Sequence, residues 1–268
     1  MIRAFVVCLL ISLIPAGASA LTLNGEATQG GLLIGKTEPG AKVMLDGEPV
    51  PVTPQGDFLI GFGRDAKKEA ALSVVYANGK AERRTVTVTP RKYRIQRIDG
   101  LPSRKVEPKK QDIERIVAEQ KMFRAARARL TPEGWFRRGF VWPAKGRISG
   151  VYGSQRILNG KPRRPHLGVD VAAPVGTKVV AAADGIVALA HEDMFFTGRT
   201  IHIDHGLGLG TVYAHLSRLH VRKGERVKKG QLIGRIGKTG RATGPHLHWG
   251  MTLGAVRLDP ALVVGEMK

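Results

Sequence analysis

Five side chains that can bind a metal ion or move a proton lie in three short motifs of the C-terminal half of the chain. They are His166 and Asp170 in "PHLGVD", His215 in "YAHLS", and His246 and His248 in "GPHLHWG". Because alternate residues of a strand share a face, His246 and His248 are expected to point to the same side. His166 and Asp170 also share a face if their segment is extended, which the following "VDVAAP" favours over a helix.

Imidazole and carboxylate ligands without sulfur suit zinc. The only cysteine, Cys8, lies in the first twenty residues, so no thiolate ligand is expected in an exported, processed chain. If all four side chains of the two outer motifs bound the metal, the site would be closed and structural. If three bound it, a spare imidazole would lie beside an activated water and support hydrolysis. Spacing alone leaves both alternatives open.

The elements that must position these residues are predicted to be strands. From about residue 141 to the C-terminus, short apolar runs alternate with glycine-rich turns, which predicts an all-β domain. Residues 21–90 predict a second, smaller antiparallel β domain, in which Asp46-Gly47 and Asn78-Gly79 are hairpin signals. The fold class is therefore all-β and mainly antiparallel.

Residues 91–140 are predicted to form a basic connector between these two domains. Its apolar residues recur at helical spacing and predict an amphipathic helix over about 109–130. These apolar residues are Ile113, Ile116, Val117 and Phe123. The basic face of this helix is a candidate contact for a membrane or an acidic polymer, although such faces are more often simply solvated.

The N-terminal residues and the charge distribution narrow the function class. Residues 1–20 carry a positive start, an apolar core and Ala18-Ser19-Ala20, which together predict a secretory signal peptide. Formal net charge is zero over residues 21–90, +9 over 91–140 and +11 over 141–268. A basic exported protein suits anionic lipid headgroups or an acidic wall polymer and disfavours nucleic acid. We expect an exported, envelope-associated protein.

Residues 141–262 resemble the lysostaphin-type, or LytM-like, zinc endopeptidases of bacterial cell walls. The resemblance depends on "HLGVD", "YAHLS" and "GPHLHWG" in this order, with "APVGTKVVAAADGIV" and "HIDHG" between them. It implies a compact antiparallel β core with an open groove for a peptide. It also implies one zinc ion per chain, held by His166, Asp170 and His248, with His246 and His215 in catalytic roles beside the metal.

The activity implied is hydrolysis of stem or cross-bridge peptides of peptidoglycan. One alternative is a non-catalytic relative that activates another wall hydrolase, but all five motif residues are present here. A third hypothesis is a basic module that binds envelope polymers around a structural metal. Similarity to the Gram-negative-type subgroup with "MFFTGRTIHIDHG" and "GRATGPHLHWG" implies a periplasmic location and favours the bond between diaminopimelate and D-alanine. Some relatives are held latent by an asparagine over the metal; Asn159 is such a candidate, although Asn159-Gly160 is better explained as a turn.

Overall fold

The N-terminal strands form two small antiparallel sheets. The computed structural model describes residues 21–267, so the predicted signal peptide and Cys8 lie outside the described part. One sheet has the order β1-β2-β5 and the other the order β4-β3-β6-β7. The strands are β1 (Thr22–Gly25), β2 (Leu32–Lys36), β3 (Lys42–Leu45), β4 (Glu48–Val50), β5 (Asp57–Gly61), β6 (Glu69–Val75) and β7 (Ala81–Thr87).

The connecting segment contains one strand, a one-turn helix, a helix of 18 residues and a 3-10 turn. These are β8 (Ile95–Ile98), α1 (Ser103–Val106), α2 (Lys110–Arg127) and a 3-10 turn at Trp135–Arg138. Strand β8 does not pair with the N-terminal sheets. It pairs in parallel with a strand of the C-terminal half, so this segment is integrated into the structure around the site. No helix within residues 21–267 is both long and apolar enough to cross a bilayer.

Helix α2 buries a different face from the one that its apolar residues predict. Ile116 is buried and Phe123 is half-buried, but Ile113 and Val117 are 45% and 53% exposed. The helix packs on the C-terminal sheet through Phe123 and Ala126, which contact an apolar cluster there. Part of the predicted apolar stripe therefore faces solvent.

The C-terminal half is a large antiparallel sheet with smaller additions. Its main path runs β17-β14-β15-β16-β19-β12-β9, and β10 pairs with both β8 and β11. The strands are β9 (Arg147–Gly150), β10 (Gln155–Leu158), β11 (Lys161–Arg163), β12 (Val169–Ala172), β13 (Lys178–Val180), β14 (Gly185–Met194), β15 (Gly198–Asp204), β16 (Leu209–Leu219), β17 (Arg226–Val227), β18 (Leu232–Ile236), β19 (His246–Leu253) and β20 (Val256–Leu258). A 3-10 turn follows at Pro260–Val263. The predicted all-β, mainly antiparallel class is confirmed.

Strands β16, β19 and β12 are neighbours in the sheet, and one face of these strands packs on the main core. Their opposite face carries the candidate site. Trp249, Leu247 and Val171 are fully buried on the core side. Because strand side chains alternate, the residues between them, including His246 and His248, project to the opposite face. The core thus fixes the register of the chemistry-bearing strands.

Candidate metal and catalytic site

Strand register brings the first and last sequence motifs together. On the antiparallel pair β12–β19, Asp170 lies opposite His248 and Ala172 lies opposite His246. Directly opposite residues of such a pair share a face. Sheet pairing therefore brings Asp170 and His248 together, although they are 78 residues apart in the sequence.

His166, Asp170 and His248 place three ligand atoms within a small volume. His166 Nε2 lies 3.0 Å from His248 Nδ1 and 2.9 Å from Asp170 Oδ1, and His248 Nδ1 lies 2.8 Å from the same oxygen. Ligands ~2.0 Å from a tetrahedral zinc would be ~3.3 Å apart. The observed separations and the nitrogen and oxygen donors fit such an ion, and the three side chains form a possible metal site.

The surroundings keep these ligands in the forms that metals bind. His166 Nδ1 donates to the Val151 carbonyl at 3.1 Å, which leaves the Nε2 lone pair facing the site. Burial lowers the pKa of His166 to about 4, so the ring is neutral near pH 7. Burial also opposes ionisation of Asp170, but His166 and His248 outweigh it and hold the pKa of this carboxyl well below its ordinary value.

His246 and His215 lie beside the three ligand atoms but farther from them. His246 Nε2 is 4.0 Å from Asp170 Oδ1, beyond the 2.8–3.0 Å that separates the three ligand atoms. The rings of His215 and His246 are 4.7 Å apart. Nδ1 of His246 donates to the Gly244 carbonyl and Nδ1 of His215 to the Thr239 carbonyl, at 2.9 and 2.8 Å. Both rings therefore keep Nε2 free to accept a proton.

A β-bulge turns His215 toward the site. Ala214 lies opposite His248, so regular alternation would place His215 on the core face. Between the pairs Ile201–Tyr213 and Arg199–Leu216, strand β16 has one residue more than β15. His215 lies in this bulge and has a left-handed φ of 64°. Its ring consequently lies 6.2 Å from that of His248. Burial first, and then the charges of His246 and His248, lower the pKa of His215 to about 3.

Sequence reasoning missed residues that support the site. Arg156 donates to Asp170 Oδ2 at 2.7 Å and so occupies the carboxylate oxygen that does not face the histidines. Gly150 and Gly168 lie against Asp170 and His248, where an added Cβ would come within 2.5 and 2.7 Å of their side chains. Close packing of backbone on a ligand side chain is a recognised use of glycine, but a chain with 34 glycines gives no signal for these two.

Two cavities of about 160 and 410 Å³ flank the five site residues. Asp170, His215 and His246 line the smaller cavity, and His166, His215 and His248 line the larger. The connecting segment contributes walls to both: Gln96, Ile98 and Leu101 to the smaller, and Val106 and Gln120 to the larger. The sheet and the connector thus form the cleft together.

The candidate asparagine and two further buried histidines lie in ordinary structural positions. Asn159 has a positive φ of 47° at the turn between β10 and β11. Its side chain donates to the Leu101 carbonyl at 2.8 Å and accepts from the Leu101 amide at 3.2 Å. It is therefore engaged with the backbone of the connector. His202 and His205 are buried in the sheet outside the three-ligand cluster.

Comparisons with known proteins match this chain to one family. Residues 164–260 match the model of peptidase family M23, and this range contains all five site residues. A crystal structure of a Pseudomonas aeruginosa protein assigned to peptidase M23 superposes with a TM-score of 0.69 at 30% identity, covering 90% of this chain and 96% of the other. These matches confirm the resemblance and the fold that the motifs predict.

Curated relatives match over less than half of this chain. Peptidoglycan DD-endopeptidase ShyC of Vibrio cholerae is 44% identical over 119 residues, which are 44% of this chain and 27% of ShyC. DD-carboxypeptidase/endopeptidase Mpg of Neisseria meningitidis is 41% identical over 117 residues, again 44% of this chain and 27% of the relative. The matched region thus spans about a quarter of the length of these relatives.

Proposed function

Because the chain belongs to peptidase family M23, we propose that it is an exported zinc metalloendopeptidase that hydrolyses peptide bonds in the stem peptides or cross-links of peptidoglycan. The observation that carries this proposal is the convergence of His166, Asp170 and His248 with two spare imidazoles beside them. A structural metal needs no such spare proton acceptors, whereas hydrolysis does. The name of ShyC, a peptidoglycan DD-endopeptidase, supports peptidoglycan as the substrate.

In the proposed site, His166, Asp170 and His248 hold one zinc ion. When bound, zinc supplies Lewis acidity and lowers the pKa of water. His246 accepts the proton of the attacking water at Nε2, because its Nδ1 is committed to the Gly244 carbonyl. The proton that His246 removes from water passes to Nε2 of His215, whose ring lies 4.7 Å away, and His215 donates it to the negative charge that develops on the substrate. The roles of His246 and His215 are exchangeable in principle, since both have the same free nitrogen.

The location that follows is the periplasm. A signal-like segment at residues 1–20 and the match to a peptidoglycan DD-endopeptidase of Vibrio cholerae support export. The basic residues of the connector support contact with an anionic envelope surface. Of the cross-links available, we favour the bond between diaminopimelate and D-alanine.

Digestion of purified sacculi tests this proposal. The full processed chain is incubated with sacculi with and without a chelator, and the released muropeptides are identified by mass. We expect peptide-bond cleavage products that disappear with chelator and return when zinc is restored, and that His246→Ala does not release. If products appear but do not depend on metal, the protein is a hydrolase that does not use zinc. If none appears, the non-catalytic activator becomes the better hypothesis.

A further inference from the structure

Arginine side chains line the cleft beside the candidate metal site. Arg156 and Arg241 line both cavities, and Arg163 and Arg164 line the larger one. The Arg156 guanidinium forms an ion pair with Asp170, and the Arg156 side chain is 17% exposed. Its Nε is buried and has no hydrogen-bond partner among residues 21–267. The cleft therefore presents positive charge within reach of the groups assigned to catalysis.

Arg241 is the half-buried member of this group that has no carboxylate partner among residues 21–267, whereas Arg164 is exposed. Within residues 21–267 its guanidinium makes no ion pair, and its polar contact is a long hydrogen bond of 3.4 Å to the Lys105 carbonyl. It lies 4.7 Å from the centre of the Phe196 ring. Burial, followed by the charges of Arg156 and Arg163, lowers the pKa of Arg241 to about 10. A half-buried cation among like charges is costly unless a ligand supplies the opposite charge.

We propose that Arg241, supported by Arg156 and Arg163, is a carboxylate-binding subsite that selects peptides with a free carboxylate next to the scissile bond. This inference rests on the proposed function and narrows its substrate class. A guanidinium binds a carboxylate through two parallel hydrogen bonds, which gives orientation as well as attraction. Stem-peptide cross-links with an acidic residue at the cleavage point satisfy this requirement. Neutral glycine cross-bridges and amidated stems do not.

Two cross-linked peptides that differ only in carboxylate against carboxamide at this position provide the test. For the wild-type protein we expect kcat/KM to favour the carboxylate peptide by roughly 10- to 100-fold, since a charge-assisted hydrogen-bonded pair is among the stronger contacts. Arg241→Gln should bring the ratio close to one, mainly through KM. Arg241→Lys should give an intermediate ratio, because it keeps the charge and loses the two-pronged geometry.

Arg218→Gln is the matched control. Arg218 is exposed at the end of β16 and lines neither cavity, so this variant removes the same charge and should keep the wild-type ratio. Equal turnover of both peptides by the wild-type protein, or an unchanged ratio in Arg241→Gln, would overturn the subsite while leaving the hydrolase in place. The same ratio in Arg218→Gln as in Arg241→Gln would overturn it too, because only net charge would then matter.

Calorimetric binding of the same two peptides separates the subsite from the hydrolase. If the wild-type protein binds the carboxylate peptide more tightly and Arg241→Gln does not, but neither protein cleaves it, the subsite is supported and the proposed function fails. If both peptides bind equally to the wild-type protein, the subsite is wrong whatever the activity. Binding needs no turnover, so this measurement also decides the case in which a variant is inactive.

Discussion

His246 and His248 share one face of β19, yet their ring nitrogens have different partners. His248 Nδ1 lies 2.8 Å from Asp170 and 3.0 Å from His166, whereas Nδ1 of His246 donates to its own loop at Gly244. The first arrangement joins potential ligands, and the second orients a ring with a free nitrogen. Two histidines one residue apart therefore have positions suited to unequal roles.

Zinc content distinguishes these roles directly. His248→Ala removes a ligand atom and is expected to lose both zinc and hydrolysis, because two ligands hold zinc poorly. His246→Ala should retain close to one zinc per chain and lose hydrolysis by roughly 100-fold or more, the usual contribution of a proton-transfer group. Metal analysis of the purified proteins, paired with sacculus digestion, measures both effects. Equal zinc loss in the two variants would contradict the assignment.

The residues of the site differ in how far their sequence context identifies them. His166 with Asp170, and His246 with His248, have short spacings that strand alternation converts into a shared face. Arg156 has no such context: it is one of 43 Lys and Arg residues, and its contact with Asp170 depends on how β10 meets β12 in space. Nor does spacing predict that a bulge is needed to turn His215 toward the candidate metal ligands.

At the scale of elements, the buried face of helix α2 differs from the face that its apolar residues predict. The apolar spacing correctly indicates a helix, but the helix buries Asp112 and Glu119 while part of its apolar stripe is exposed. Glu119 accepts a hydrogen bond from the Phe195 amide at 2.8 Å. Asp112 pairs with the Arg104 guanidinium. Carboxylates with specific partners outside the helix can replace apolar residues on a buried face, and no local pattern contains those partners.

Strand β15 contains a histidine that should make the fold sensitive to acid. His202 is 1% exposed, and neither ring nitrogen has a hydrogen-bond partner among residues 21–267. Burial, and then the charges of His205 and Arg127, lower the pKa of His202 to about 3. An unfolded chain binds this proton near pH 6.5. The contribution of the neutral His202 to the free energy of unfolding is therefore fully present above about pH 6.5 and is lost as the pH falls from about 6.5 toward 3.

Replacing His202 tests this linkage. One histidine that is charged only in the unfolded state contributes at most about 1.4 kcal/mol per pH unit to the slope of the unfolding free energy. His202→Leu should remove up to that slope between pH 6.5 and 4, as measured by denaturant titrations at several pH values. His220→Leu, at an exposed position, controls for the loss of a histidine elsewhere. Identical slopes in His202→Leu and the wild-type protein would show that the buried ring is not responsible.

At the scale of the whole molecule, an apolar cluster joins the N-terminal strands to the C-terminal sheet. Leu32 and Leu59 from β2 and β5 pack with Leu209, Met251 and Leu258. Polar contacts reinforce this junction: Arg91 pairs with the buried Asp259 at 2.9 Å, and the Arg64 guanidinium donates to the Gly153 carbonyl at 2.7 Å. The alternating patterns predict each set of strands. They do not predict this junction, because its apolar residues are far apart in the sequence and meet only in the folded structure.

This junction should make the two sets of strands unfold together. Leu72 lies in the separate N-terminal core and is 1% exposed, whereas Trp135, Trp142 and Trp249, the protein's three tryptophans, lie in the other half. Leu72→Ala should cost about 2–5 kcal/mol. If unfolding is coupled, tryptophan fluorescence and far-UV circular dichroism should report the same lowered midpoint in denaturant.

The exposed Thr85→Ala on β7 should leave both midpoints in place. An unchanged fluorescence transition in Leu72→Ala would show instead that the N-terminal strands unfold independently, and that the cleft does not depend on them for its stability.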